Sequence, residues 1–237
     1  MGSQEKITVK EVASMINHSL LRPDMGHDEV VQDCKFCIEY DVGSVCCKPH
    51  HVSLCKSVLD GSSVKISSGV SFPHGNSTTA VKVAEAEQAM DDGADELDLV
   101  MPIGHVKSGD WDYVKQDVKA VVDAAHKRNV IVKVIFENAL LTREEIVTCC
   151  TVCEEVGADF VKTSTGYGPS GSKLEDVRLM RETCSPAVEV KAAGGIRTLT
   201  QFLEMLDAGA VQQGTRSTKV IIEEARSQEA DGSLTRL

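Results

Sequence analysis

The 237-residue chain has little of several things whose presence would have set its class. Glycine and proline are few, 18 and 6, which excludes a fibrous or low-complexity protein. Basic residues are outnumbered, 25 Lys and Arg against 36 Asp and Glu, for a net charge of -11. No run of Lys or Arg interrupts that imbalance, and a surface of this sign repels nucleic acid and anionic lipid. No apolar stretch approaches the ~18 residues of a membrane span, and the charged-then-apolar layout of a signal peptide is missing. Met1-Gly2 begins like a myristoylation site, but Lys6 stands where Ser or Thr is needed, and Thr235-Arg236-Leu237 is not a peroxisomal address. The expectation is a cytoplasmic protein with neither a membrane nor a nucleic acid as partner.

Disulfide staples are not expected either. Nine cysteines make an odd count, and a chain of this length can bury its own core. The two Cys-x-x-Cys spacings, Cys34/Cys37 and Cys150/Cys153, fall in stretches that read as helices and lack a zinc-ribbon surround. His50-His51 has no third ligand in view and reads as a solvated loop. Reduced, mostly buried thiols, no metal and no cofactor are the reading.

What is present is alternation. Short β-branched apolar runs at 16–20, 44–47, 64–66, 96–100, 130–136, 159–162, 187–191 and 211–213 alternate with amphipathic stretches at 28–40, 77–92, 111–128, 142–156, 173–183, 199–208 and from 219. That is the βαβα pattern of a parallel sheet. Thr142 with Glu145 forms a capping box, and a Gly-Ala step at 93, 157 and 209 marks a reused exit from helix to strand. Lys133, Lys162 and Lys191 sit in strands at equal spacings of 29 residues, one βα unit apart. Eight such units approach the ~250 residues of a (β/α)8 TIM barrel. No linker or composition shift divides the chain. The expectation is a single α/β barrel domain over 1–237 with a frayed polar tail from about 226; a doubly wound open sheet is the alternative.

Active sites of such barrels form where strands end. Lys162 and Lys191 end adjacent strands, Asp98 ends an earlier one, and an unpaired buried ammonium is costly. A salt bridge to Asp98, Glu96 or Glu189 is the structural explanation. Two neighbouring lysines add a chemical one, because like charges lower each other's pKa. Only about one lysine in 2,500 is neutral at pH 7, and a depression of ~3 units, worth roughly 4 kcal/mol, makes about half neutral. A neutral lysine beside a cationic one and a carboxylate is equipped for Schiff-base chemistry on a carbonyl. The residues alone do not choose between the two lysines. Thr165-Gly166, Gly194-Gly195 and Gly214-Thr215, in the last three loops, suit a phosphate held by backbone N–H groups. His74 and His105 follow strands toward the same mouth, Trp111 reads as a helix anchor, and Lys133, Arg197 and Arg216 join the two lysines in an expected basic funnel.

The segments DELDLV (95–100), VKTSTG (161–166), VKAAGGIRT (190–198), VCCKP (45–49) and KVIFEN (133–138) resemble the signature segments of the deoxyribose-phosphate aldolase family, and the resemblance runs from about Ile16 to Gly214. It implies a metal-free class I aldolase that interconverts 2-deoxy-D-ribose 5-phosphate with acetaldehyde and D-glyceraldehyde 3-phosphate. Carried over, it makes Lys162 the nucleophile, Lys191 the cation beside it and Asp98 a participant in proton transfer through water. Thr165 matches a hydroxyl that orders this water, and Cys46 lies near the aldehyde pocket. Gly166, Gly194, Gly195, Gly214, Arg216 and Ser217 match the phosphate loops.

Three positions depart from the family pattern. Asn17 replaces an Asp near the second lysine, Arg216 replaces a phosphate-binding Ser, and Tyr167 stands where some members carry a basic residue. The expectation is retained aldolase activity with altered phosphate dependence, in a homodimer. Another phospho-sugar Schiff-base aldolase or transaldolase, or a sugar-phosphate-binding barrel without turnover, are the alternatives.

Overall fold

The computed structural model describes residues 5–236, so Met1-Gly2 and Leu237 lie outside the described residues. Eight parallel strands close into a barrel in sequence order: β1 (Ile16–Leu20), β2 (Ser44–Cys47), β3 (Lys65–Val70), β4 (Glu96–Val100), β5 (Ile131–Ile135), β6 (Phe160–Lys162), β7 (Glu189–Ala193) and β8 (Ala210–Thr215). The closing pair is β1 with β8, joining Asn17 to Gly214. The helices are α1 (Val9–Met15), α2 (His27–Glu39), α3 (Val52–Leu59), α4 (Thr79–Asp91), α5 (Ile103–Lys107), α6 (Trp111–His126), α7 (Arg143–Val156), α8 (Leu174–Thr183), α9 (Leu199–Asp207) and α10 (Thr218–Asp231). The expected TIM barrel is the fold, and the open sheet is not.

Strand residues alternate between two faces. On β4, Leu97 and Leu99 join the core under the helices, while Glu96 and Asp98 meet lysines inside the barrel. β5, β6 and β7 repeat the rule, with Val132, Val134, Val161, Val190 and Ala192 outward in the apolar core and Lys133, Lys162 and Lys191 inward. Both faces are buried, which is why these strands read as continuous apolar runs broken only by lysine and carboxylate.

The capping box at Thr142 and Glu145 is formed, and Gly157 ends α7 in the left-handed conformation at φ 75°. Three helices were not expected: α1, α3 and α5. They have 7, 8 and 5 residues, too short to show a full amphipathic period. α1 packs against α10 and β8, and Gly43 is needed beside it because a Cβ there would collide with the Ser14 carbonyl. α3 follows a 3-10 turn at Pro49–His51, so His51 is buried rather than solvated, and burial lowers its pKa to about 4. The expected fraying from about 226 does not occur either. α10 continues to Asp231, Leu234 is 3% exposed in the core, and Arg236 N–H donates to the Glu5 carbonyl at 2.8 Å.

Candidate active site

The inward faces of β4, β6 and β7 bring Asp98, Lys162 and Lys191 to one place; only Lys162 ends its strand, whereas the sequence pattern suggests this for all three. Asp98 Oδ2 lies 2.6 Å from Lys162 Nζ and 2.9 Å from Lys191 Nζ, so a single carboxylate oxygen accepts from both lysines. Its other oxygen accepts from the Ser67 hydroxyl at 2.9 Å. Lys162 and Lys191 are register partners on β6 and β7, which sets them side by side at one depth. Lys133 is partnered with Asp98 and sits lower, with Ile135 at the level of Lys162. It pairs with Glu96, lies 3.8 Å from Asp98 Oδ1, and donates to Asn17 Oδ1 at 3.5 Å.

Three lysines thus face two carboxylates in a largely buried cluster, one more basic group than acidic. A buried unmatched charge is expensive, and giving up one proton neutralises the cluster. The three groups are not equivalent. Burial works against the Lys191 charge, yet attraction to Asp98 outweighs it and holds its pKa above the ordinary lysine value. Burial, reinforced by Lys191, lowers the pKa of Lys133 against the pull of Glu96 and Asp98. Burial also opposes ionisation of Asp98, but Lys162, Lys191 and Lys133 together hold its carboxyl well below the usual carboxylate range. Burial and the Asp98 charge push the Cys46 thiol up, so it stays protonated and donates weakly to Asp98 at 3.5 Å.

Above the cluster opens a cavity of about 360 Å³. Lys162, Lys191 and Cys46 form its floor, and Thr165, Gly166, Gly194, Gly195, Gly214, Arg216 and Ser217 all line it. Every predicted substrate and phosphate residue is therefore around one space; Asp98 lies beneath it, behind the lysines. Gly166, Gly194 and Gly195 have φ of 88°, 84° and 84°, a backbone that favours glycine. α10 begins beside them, and its N-cap Ser217 makes no side-chain capping bond, so the first N–H groups of that helix remain open.

Arg216 lines the cavity, but its guanidinium leans on α2: Nη2 is 3.5 Å from Asp33 and 3.7 Å from Glu29, and Nη1 is 3.4 Å from the Ser19 carbonyl. Tyr167 crosses the mouth, donating from its hydroxyl to the Leu21 carbonyl at 2.7 Å and meeting Phe72 edge-on. Arg22, Ser19, Asn17 and Arg197 complete the wall. The basic funnel is thus Lys162, Lys191, Arg22, Arg197 and Arg216, without the buried Lys133. His74 and His105 line a separate cavity with Tyr113 and do not reach the lysines. Trp111 opens α6 and packs on the core.

Sequence reasoning missed Arg22, Ser67 and Glu137, the last of which accepts from the Thr165 hydroxyl. Arg22 and Ser67 carry no motif, and the left-handed backbone of Glu137 leaves no trace in residue type. Among the described residues no group of three His, Cys, Asp or Glu could hold a metal ion. All nine cysteines are free and buried, and burial pushes the Cys149 thiol up to about 12. No described helix is long and apolar enough to cross a membrane.

Residues 16–220 match the family described as DeoC/LacD family aldolase. A deoxyribose-phosphate aldolase of Thermococcus gammatolerans is 47% identical over 221 residues, covering 92% of this chain and 98% of that one. Among solved structures, QR15, an aldolase, superposes with a TM-score of 0.88 at 37% identity, covering 93% of this chain and 98% of that one. The deoxyribose phosphate aldolase of Aeropyrum pernix, described as tetrameric, gives a TM-score of 0.86 at 28% identity, covering 93% of each chain.

Proposed function

The chain belongs to the DeoC/LacD family of aldolases, and from that premise we propose that it reversibly cleaves 2-deoxy-D-ribose 5-phosphate to acetaldehyde and D-glyceraldehyde 3-phosphate through a Schiff base on Lys162. The observation that carries the roles is the unequal setting of two cavity-facing lysines on one carboxylate oxygen. Lys191 is the one held as an ammonium, which makes it the proton donor, and the family resemblance makes Lys162 the attacking amine.

Lys162 Nζ attacks C1 of the open-chain sugar, and the carbinolamine oxygen takes a proton supplied through Lys191 and leaves as water. In the resulting iminium, the C2–C3 electron pair moves toward the nitrogen as the C3 hydroxyl gives up its proton. D-glyceraldehyde 3-phosphate departs and an enamine remains. Protonation of that carbon and hydrolysis release acetaldehyde and restore Lys162. Asp98, ionised beneath both lysines, takes part through water and through the ammonium it holds. The lysine iminium is itself the electron sink, so the reaction calls for no metal and no cofactor.

The phosphate fits the turned backbone of Gly166, Gly194 and Gly195 together with Gly214 at the end of β8, Ser217 and the open N-terminus of α10. Arg216 adds a cation at that rim, shared with Asp33 and Glu29, and this supports a phosphate dependence different from that of a loop carrying Ser. Nine free thiols suit a reducing, cytoplasmic setting. A homodimer is the expected assembly, and light scattering on the purified protein checks it. Activity is tested by following D-glyceraldehyde 3-phosphate released from 2-deoxy-D-ribose 5-phosphate; no release, with the fold intact, overturns the proposal.

A further inference from the structure

Glu137 follows β5 in a left-handed backbone conformation, φ 59° and ψ 60°. A residue with a Cβ holds that conformation only where its surroundings enforce it. Here they do, on both sides. Phe136 N–H donates to the Lys162 carbonyl at 3.0 Å, and Asn138 N–H donates to the Thr163 carbonyl at 2.9 Å. The kink is stapled to the strand end that carries Lys162. Glu137 is 3% exposed, and its carboxylate accepts from the Thr165 hydroxyl and, at 3.3 Å, from Thr165 N–H. Gly168 closes over the carboxylate so tightly that a Cβ there would lie 2.7 Å from Glu137 Cδ.

A hydroxyl has one proton and two lone pairs. The Thr165 proton goes to Glu137, and one lone pair accepts the Tyr167 N–H at 3.0 Å. Only a lone pair is left for the catalytic cavity, which Thr165 lines. We infer that Glu137 is a positioning residue that makes Thr165 an acceptor-only contact, so that this wall of the cavity selects an O–H donor. Glu137 does not line that cavity but borders the adjoining one, and it reaches the first through Thr165, which lines both. The inference rests on the aldolase reading for its kinetic consequence and on the structure alone for its positioning.

The experiment compares E137A, E137Q, T165V and the double variant E137A/T165V in cleavage of 2-deoxy-D-ribose 5-phosphate, with amide exchange of Thr165 and Tyr167 followed in the free proteins. E137A and T165V each lower kcat/KM about 10- to 100-fold, as expected for a lost or misdirected buried hydrogen bond. The double variant falls no further than the worse single one, because the two residues form one unit. E137Q, whose side-chain carbonyl still accepts, stays within about threefold of the unmodified protein and keeps both amides protected, whereas in E137A they exchange at least about tenfold faster. A loss carried by KM assigns the O–H donor to the sugar, and one carried by kcat assigns it to the water at Lys162. Additive losses in the double variant, or E137Q falling as far as E137A, overturn the inference. Amide exchange unchanged in E137A overturns it whatever the substrate, while an inactive unmodified protein with the expected exchange pattern removes the aldolase reading and leaves the positioning of Thr165 standing.

Discussion

Lys82 and Lys162 are both buried lysines that lie 2.6 Å from an aspartate, and they do different things. Lys82 on α4 faces Asp117 on α6, both fully buried, with the Val100 carbonyl at 3.0 Å as a second acceptor and Thr79 donating to the other Asp117 oxygen at 2.8 Å. Charges match one to one and neither side chain is exposed. Burial lowers the Lys82 pKa and Asp117 counters it. In the barrel, Lys162 shares its aspartate with Lys191, a third lysine lies below, and a cavity lies above. A buried lysine is therefore not a catalytic signal in itself. What distinguishes the barrel cluster is a surplus basic group together with access to a ligand.

The largest expected break in that contrast is in turnover. K162M removes the proposed nucleophile and should lower kcat for 2-deoxy-D-ribose 5-phosphate by at least about 10,000-fold, whereas K82M should change kcat by less than about threefold in whatever fraction stays folded. Steady-state kinetics on both variants, with folding checked by circular dichroism, decides the point. Comparable losses in both would erase the distinction.

Stability should invert the order. K82M leaves Asp117 buried and uncompensated, at a cost of about 3–5 kcal/mol, and the apolar pair K82M/D117L recovers most of it. Denaturant unfolding of the single and double variants measures this; a double variant no better than K82M would mean that packing around the pair, not charge, is what matters.

Asp98 links the two properties. D98N removes the carboxylate that pairs with both Lys162 and Lys191, and we expect about 3–5 kcal/mol of destabilisation at pH 7 along with loss of activity. The sign follows from the depressed folded pKa of Asp98. Its contribution is fully present above the ordinary carboxylate value of about 4 and is lost as pH falls through the lower folded value. The stability gap between the unmodified protein and D98N should hold steady from pH 8 to pH 5 and narrow below about pH 4. A gap that already closes between pH 8 and pH 6 would show that Asp98 is not held ionised by the lysines.

The smallest effect is expected at the rim. R216S removes a half-exposed cation shared with Asp33 and Glu29, and should change the preference for the 5-phosphate over unphosphorylated deoxyribose by about tenfold or less. Kinetics on the two sugars before and after the change reads it directly, and an unaltered ratio removes Arg216 from phosphate recognition.

Much of this was legible in the residue pattern because the chemistry sits on strands. Short apolar runs, glycine exits and the 29-residue lysine spacing carry the barrel; Lys162 ends β6 as expected, whereas Asp98 and Lys191 lie mid-strand on β4 and β7 and meet it across the barrel interior. The same spacing misled about Lys133. Counting residues treats all three lysines alike, but the stagger between β5 and β6 sets Lys133 lower, beside Asp98 and under the site. Arg216 was visible as a substitution, while its lean toward α2 depends on Asp33 and Glu29, which are far away in sequence. Glu137 was quoted within a motif, but its pairing with Thr165 arises from a backbone conformation that residue type does not encode.

The central proposal is that Lys162, which lines the cavity and is set against Asp98, is the residue that forms the Schiff base. The direct measurement is to add acetaldehyde, reduce with borohydride, and map the modified peptide by mass spectrometry. We expect a single stable adduct on Lys162, absent without acetaldehyde and absent in K162M. An adduct on Lys191 instead, or none in the folded protein, would contradict the account.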